Sequence, residues 1–142
     1  MTGKLFIVAT PIGNLSDITL RAIDILKSVD IVLAEDTRHS KKLFTHYEIT
    51  TSIRAFHEHN EREKTDSIIA EINDGKQVAL ISDAGTPLIS DPGFVLVSTA
   101  KKEGIDVVPI PGPSALITAL SASGLAIDKF TFFGFLPSRQ AA

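Results

Sequence analysis

The chain has 142 residues, enough for one ordinary domain with a real core. Its apolar set is 44% and its charged set 22%, a globular balance that excludes disorder, while a net charge of −3 is not the basic footprint of a free-standing nucleic-acid binder. The absence of cysteine removes disulfide and thiolate chemistry; with no run of 18 apolar residues and no basic, cleavable start in residues 1–15, the expectation is a soluble, cytoplasmic protein without a membrane span.

Lys4-Leu5-Phe6-Ile7-Val8-Ala9 is a short apolar run suited to a buried strand. Ile18, Ala22, Ile25 and Val29 then recur at helical spacing, with Asp17 available as the cap. Ile31 to Ala34 predicts a second strand, Thr37 to Phe44 a short helix, and Ser52 to Phe56 a weaker third strand. Glu61 to Asn73 is charged, carries Ile68, Ile69 and Ile72, and stops at Gly75 as helices do. Gln77 to Ile81 is the fourth strand. Asp91-Pro92 opens a helix with proline at its first position; Phe94, Val97 and Ala100 face the core and Gly104 ends it. Asp106 to Ile110 is the fifth strand, and Gly112-Pro113 opens a helix through Leu116, Ile117 and Leu120 that ends near Gly124. A strand-like run, Phe130 to Phe135, leads to Pro137, where a linker is expected to start. Strands separated by helices imply an α/β fold with a mainly parallel sheet and right-handed crossovers.

Three glycine- and proline-rich loops each follow an apolar run: Ala9 to Asn14 (ATPIGN), Ser82 to Pro87 (SDAGTP) and Pro109 to Ser114 (PIPGPS). In an open parallel sheet such loops sit at the carboxyl ends of strands, where ligands bind, so three of them converging would line one pocket. Gly85 lets a ligand approach the backbone, Thr86 offers a hydroxyl and an amide, and Asp83 offers a carboxylate to ribose hydroxyls or an ammonium group. Gly85 to Ile89 therefore read as ligand contacts, and Ser90, Asp91 and Pro92 as a turn with a helix cap. Pro111 to Ala115 sets a helix N-terminus beside the same pocket, where orphan amides suit a carboxylate; a plain proline-rich helix start is the equal alternative. Asn14 reads equally as a turn residue. Neither G-x-G-x-x-G nor G-x-x-x-x-G-K-[ST] occurs, which argues against dinucleotide-binding and P-loop folds.

Glu35-Asp36-Thr37-Arg38 leaves the second strand as a polar cleft edge. Asp36 or Thr37 reads as a helix cap, and Arg38 as a group able to grip a phosphate. His57-Glu58-His59-Asn60 suggests a metal site at first sight, but the histidines are two apart and no third ligand is evident, so no metal is expected. A solvated helix start is the favoured reading there, with substrate contact by His57 or Asn60 the alternative.

The segments LFIVATPIGNLSDIT, LAEDTRHS, AFHEHNE, ISDAGTPLISDPG and PIPGPSALITAL resemble the ribosomal-RNA branch of the tetrapyrrole (corrin/porphyrin) methylase superfamily, which methylates ribose 2′-hydroxyls of small-subunit RNA. The tetrapyrrole branch usually carries a G-D-P-type loop where this chain has Gly85-Thr86-Pro87. The resemblance implies S-adenosylmethionine as methyl donor and a three-layer first domain with a five-stranded sheet ordered 3-2-4-1-5. It points to Pro11, Thr86, Ile89, Ser114 and Ala115 for the cofactor, to which the loop chemistry above adds Asp83 and Gly85. It also implies a cytidine of 16S ribosomal RNA as substrate, a homodimer, and a second α/β domain of similar size. Residues 1–136 would then be the first domain and 137–142 the start of a linker. Asp36, His57 and Asp83 are the candidate general bases, and Arg38 and Asn14 the candidate RNA contacts. Rival readings are a methyltransferase of a tetrapyrrole precursor, a non-catalytic cofactor-binding half-module, and a nucleotide-binding α/β domain.

Overall fold

The computed structural model describes residues 1–139. One sheet holds β1 Lys4–Val8, β2 Ile31–Ala34, β3 Ser52–Ala55, β4 Val78–Ile81 and β5 Asp106–Ile110. The intervening helices are α1 Leu20–Ser28, α2 Thr37–His46, α3 Glu61–Asn73 and α4 Phe94–Lys102, with α5 Ala115–Ser121 after β5. Every strand pair is parallel and the order is β3-β2-β4-β1-β5, as the resemblance implied.

Side-chain alternation along the strands decides which helix covers which face. Leu5 and Ile7, Ile31 and Leu33, and Val78 and Leu80 share one face with Ile68, Ile69 and Ile72 of α3 and Leu96 and Ala100 of α4. Val8, Val32, Ala34, Ala79 and Ile81 turn to the other, against Ala22 and Leu26 of α1 and Leu43 and Phe44 of α2. β2 and β4 are buried at every position, the pattern of central strands covered on both sides. β1 and β4 are neighbours, yet the helices that follow them, α1 and α4, lie on opposite faces. Their outgoing loops part there, at the topological switch point where ligands bind in open α/β sheets.

Local chemistry moved several boundaries. Thr19, not Asp17, caps α1: its hydroxyl accepts from the Ala22 amide at 3.0 Å. Asp17 ends a short 3-10 turn, Leu15–Asp17, that Asn14 caps through the Ser16 amide. α4 begins at Phe94 behind Gly93 (φ +128°), not at Asp91-Pro92. Leu88 (φ +73°) and Ser90 (φ +65°) are left-handed, so the chain is still turning there. Phe94 is 72% exposed, whereas Val97 packs on the core and Ala100 is buried. α5 ends at Ser121, short of Gly124, and buries none of its side chains. The run Phe130 to Phe135 forms no strand; Gly134 turns it with φ +74°, and Phe133 and Phe135 stand exposed. Of the expected linker 137–142, residues 140–142 lie outside the described residues.

Candidate functional site

The loops after β1, β4 and β5 meet in space. Thr10 and Gly85 form a two-bond antiparallel bridge, each amide donating to the other's carbonyl at 3.0 Å. Thr10 Oγ1 donates to the Ser82 carbonyl at 3.2 Å and Ser82 Oγ to the Ala84 carbonyl at 3.1 Å, so small hydroxyls brace the corner from inside. Thr86 Oγ1 joins the third loop by donating to the Pro113 carbonyl at 3.4 Å. Gly85 (φ +76°) marks the junction: a Cβ there would lie 3.4 Å from Ile12 Cγ2 and 3.7 Å from the Pro113 carbonyl. Those are ordinary contact distances, so it is the positive φ that favours glycine.

Of the residues assigned to a cofactor, Gly85 and Thr86 sit at this junction, and Ser114 follows Pro113 as the N-cap of α5. The Ser114 side chain makes no capping bond, so its hydroxyl is not consumed by the helix. Ile89 is 54% exposed and stands between the left-handed Leu88 and Ser90. Non-glycine residues in that region are strained, and such strain clusters at ligand clamps. Pro11 and Asp83 line a cavity of about 320 Å³ between the β1 loop, the start of the β4 loop and α2, with Thr10 and Ile12 of the corner also in its wall. Ala115 is exposed at the first turn of α5.

Asp36 caps α2, accepting from the amides of Arg38 at 2.8 Å and His39 at 3.2 Å. Those bonds, His39 first, hold its carboxyl below the ordinary range, which makes it a weak base. The Asp36 amide donates to Asp83 Oδ1 at 3.2 Å, tying the β2 loop to the β4 loop. Glu35, beside this pair, has its pKa raised by burial and then by Asp83, Asp91, Glu58 and Asp36. Asp91 is likewise raised, by burial and then by Asp83. The carboxyl ends of β2 and β4 thus carry unneutralised negative charge that favours a cation. Arg38 and Asn14 are exposed, Arg38 in the first turn of α2 and Asn14 as the cap of the 3-10 turn. Tyr47, the C-cap of α2, clamps that turn, its Oη donating to the Leu15 carbonyl at 2.6 Å.

His57 is half-buried rather than solvated. Asn60 Oδ1 accepts from the His57 amide at 2.8 Å, and Asn60 Nδ2 donates to the Ala55 carbonyl at 3.3 Å and to His57 Nε2 at 3.1 Å. Nε2 is therefore the acceptor and the proton belongs on Nδ1, which is buried with no partner among the described residues. The lone pair a general base would use is engaged, so the geometry disfavours His57 in that role. Among the described residues no group of three or more His, Cys, Asp or Glu side chains is arranged to hold a metal.

The residue the sequence reading missed is Glu61. Its buried Oε1 accepts from the amides of Gly93 at 3.1 Å, Val95 at 2.8 Å and Leu96 at 3.3 Å, capping α4 from α3. Asp91 and Ser90 do not cap because this carboxylate already does. The signal was present: Glu61 falls with Thr65, Ile68 and Ile72 on the buried stripe of α3, an unlikely place for a charge without a partner.

Over 138 residues the chain is 54% identical to the ribosomal RNA small subunit methyltransferase I of Escherichia coli O157:H7, covering 97% of this chain and 48% of that protein. It is 60% identical over 139 residues to the protein of the same name from Pseudomonas aeruginosa, covering 98% and 49%. The chain thus spans about half the length of these curated relatives. Among solved structures, uroporphyrin-III-C-methyltransferase from Thermus thermophilus superposes with a TM-score of 0.67 at 25% identity, covering 89% of this chain and 55% of that one. Residues 4–136 match the family model of the tetrapyrrole (corrin/porphyrin) methylases, and the chain belongs to that family.

Proposed function

We propose that this chain is the cofactor-holding part of an S-adenosylmethionine-dependent methyltransferase acting on the ribose 2′-hydroxyl of a cytidine in 16S ribosomal RNA, in the cytoplasm. One observation carries the reading: the three loops are stitched into a single corner at the switch point of the sheet. The residues fit the donor. Gly85 leaves a cradle that a Cβ would narrow, and the carboxylates of Asp83, Glu35 and Asp91 offer negative potential to a cation. When bound, the donor supplies an electrophilic methyl group on a positively charged sulfur.

The chain's own contribution is to bind and orient. Thr86, Ser114 and Ala115 present amides and hydroxyls from two loops, Ile89 gives apolar contact, and Pro11 stiffens the third wall. Holding two reactants in line is worth roughly 7–11 kcal/mol of the barrier. A general base would add about 10²–10⁴-fold. Asp36 is held ionised as a cap, so Asp83 is the better placed of the sequence candidates, with Glu35 beside it as a carboxylate of raised pKa. Arg38 and Asn14 contact RNA. In this reading residues 1–136 form the first domain, a homodimer assembles on exposed apolar surface, and the remaining basic charge for RNA comes from outside this chain.

The test is tritiated methyl transfer from S-adenosylmethionine by a chimera that continues this chain with the second half of the Escherichia coli relative. Label at a cytidine 2′-oxygen of small ribosomal subunits, lost in Thr86→Pro, is the expected result. Label on a tetrapyrrole precursor and none on RNA would overturn it. Within the same assay, Arg38→Ala is expected to lower methylation of the subunit about tenfold or more while cofactor affinity stays the same; unchanged methylation would remove Arg38 from the RNA contacts.

A further inference from the structure

Glu61 starts α4 from another helix although Ser90 and Asp91 stand just ahead of the N-cap, Gly93. A local Ser or Asp cap is the less costly device: Glu61 is 7% exposed and has no cationic partner among the described residues. What the distant cap adds is placement. It fixes the Gly93 amide, the far end of the Ser82–Gly93 loop, while the Thr10–Gly85 bridge holds the near end. Between these anchors the left-handed Leu88 and Ser90 flank the exposed Ile89. Leu88 packs on the core beside Gly93, where a Cβ would lie 3.1 Å from Leu88 Cδ1. Strained residues persist only where their surroundings over-determine them.

Glu61 is itself held by the His57-Glu58-His59-Asn60 motif, which the donor and RNA readings leave without a role. The His57 carbonyl accepts from the Asn60 amide at 3.0 Å and the Glu61 amide at 2.9 Å. The Asn60 side chain closes the turn on the His57 amide, the His57 ring and the Ala55 carbonyl. Lys64 Nζ donates a second bond to that carbonyl, the last of β3, at 3.0 Å. The end of β3 thereby sets where α3 starts, and with it where the Glu61 carboxylate lies.

We infer that the His57–Glu61 turn is a brace for the donor loop: Asn60 fixes the first turn of α3, and Glu61, through the Gly93, Val95 and Leu96 amides, holds the loop tip that presents Ile89 to the donor. The inference deepens the methyltransferase reading and rests on it. Asn60 and Glu61 are positioning residues; neither touches donor or RNA. The brace acts before a ligand arrives. Without it the tip samples other shapes, and the apparent donor affinity falls with the competent fraction. A bound donor restores the loop, so turnover at saturating donor is kept. The loss belongs to KM and not to kcat.

The test joins methyl-transfer kinetics of the chimera with amide chemical shifts of the donor-free 142-residue chain. Glu61→Ala is expected to raise KM for S-adenosylmethionine about tenfold and to leave kcat within about twofold. Glu61→Gln keeps an acceptor oxygen for the same amides and recovers most of the affinity. Asn60→Ala raises KM several-fold, and the Asn60→Ala/Glu61→Ala double variant is no worse than Glu61→Ala alone, because the two act as one unit. In the donor-free chain Glu61→Ala moves the amide signals of Leu88, Ile89 and Ser90 and leaves those of Ile31 to Ala34 in place. A fall in kcat at unchanged KM, as loss of folded enzyme produces, would overturn the brace. So would additive losses in the double variant, or no recovery in Glu61→Gln. If Glu61→Ala does not fold, Asn60→Ala and Glu61→Gln decide on the same readouts. A parent chimera that ignores S-adenosylmethionine while Glu61→Ala still moves the loop signals would sink the donor reading and leave the brace standing. Donor binding by the parent with KM and loop signals unmoved in the variants would sink the brace alone.

Discussion

Glu35 and Asp36 are adjacent carboxylates pushed in opposite directions. Burial and the Asp83 charge raise Glu35, so the folded chain holds that proton more tightly than the unfolded chain does. The stability this gives is present at low pH and is lost as pH rises through the raised pKa. Glu35→Gln is therefore expected to raise the urea midpoint at pH 7 and to have little effect below about pH 4, where both states are protonated. Asp36 is held low by the α2 amides, so its contribution runs the other way and is lost as pH falls through its folded pKa. Asp36→Ala should lower the midpoint at pH 7 and converge with the parent in acid. Equal effects at both pH values, for either variant, would contradict this account of the acidic rim. The capping role of Asp36 was legible in the sequence, because an Asp before a helix has one common use. The raised Glu35 was not, because it depends on burial and on Asp83 and Asp91 of the loop between β4 and α4, which only folding brings near.

At the scale of elements, α4 is started by another helix. The Glu61 carboxylate takes two of its first amides and that of its N-cap, Gly93, which lets the chain enter with φ +128°. A Cβ at Gly93 would lie 2.7 Å from Leu80 Cδ2. Glu61→Ala is expected to cost about 1–3 kcal/mol in urea unfolding by leaving charge-assisted bonds unmade. Gly93→Ala is expected to cost about 1–3 kcal/mol through backbone strain and overpacking. Because both hold the end of the Ser82–Gly93 loop, both should also weaken S-adenosylmethionine. A Glu61→Ala chain with unchanged stability would refute the cross-helix cap. The strands and the bodies of α1 to α4 were legible, since their apolar spacing reports burial directly. The start of α4 was not, since local sequence offered Ser90 and Asp91 as caps and gave no sign of a distant carboxylate. α5 starts at Ala115, two residues beyond the Gly112-Pro113 opening, and does not follow its apolar spacing, for Ile117 stands 54% exposed.

Across the whole molecule, the parallel order β3-β2-β4-β1-β5 turns three sequence-distant loops into neighbours. β1 lies between β4 and β5, so the loops leaving these three strands emerge side by side. That convergence was expected from the motifs alone, because strand–loop–helix alternation with glycine and proline at each strand exit constrains where the exits lie. The cavity beside α2 was not foreseen, since its walls come from three separate stretches of chain, around Pro11, Ser40 and Asp83. Exposed apolar side chains on α4, α5 and the Phe130–Leu136 stretch, Phe94, Ile117 and Phe133 among them, leave surface for a partner. Under the homodimer reading, Phe94→Asp should shift sedimentation of the chain toward the monomer. Sedimentation identical to the parent would take that surface out of the dimer.

A crystal structure of the chimera bound to S-adenosylhomocysteine tests the three-loop corner most directly. The account predicts the nucleoside against Gly85 and Thr86 and the amino-acid end near Ser114 and Ala115, with the sulfur facing the Asp83 side. A ligand seated away from this corner, or touching one loop and not the other two, would contradict it.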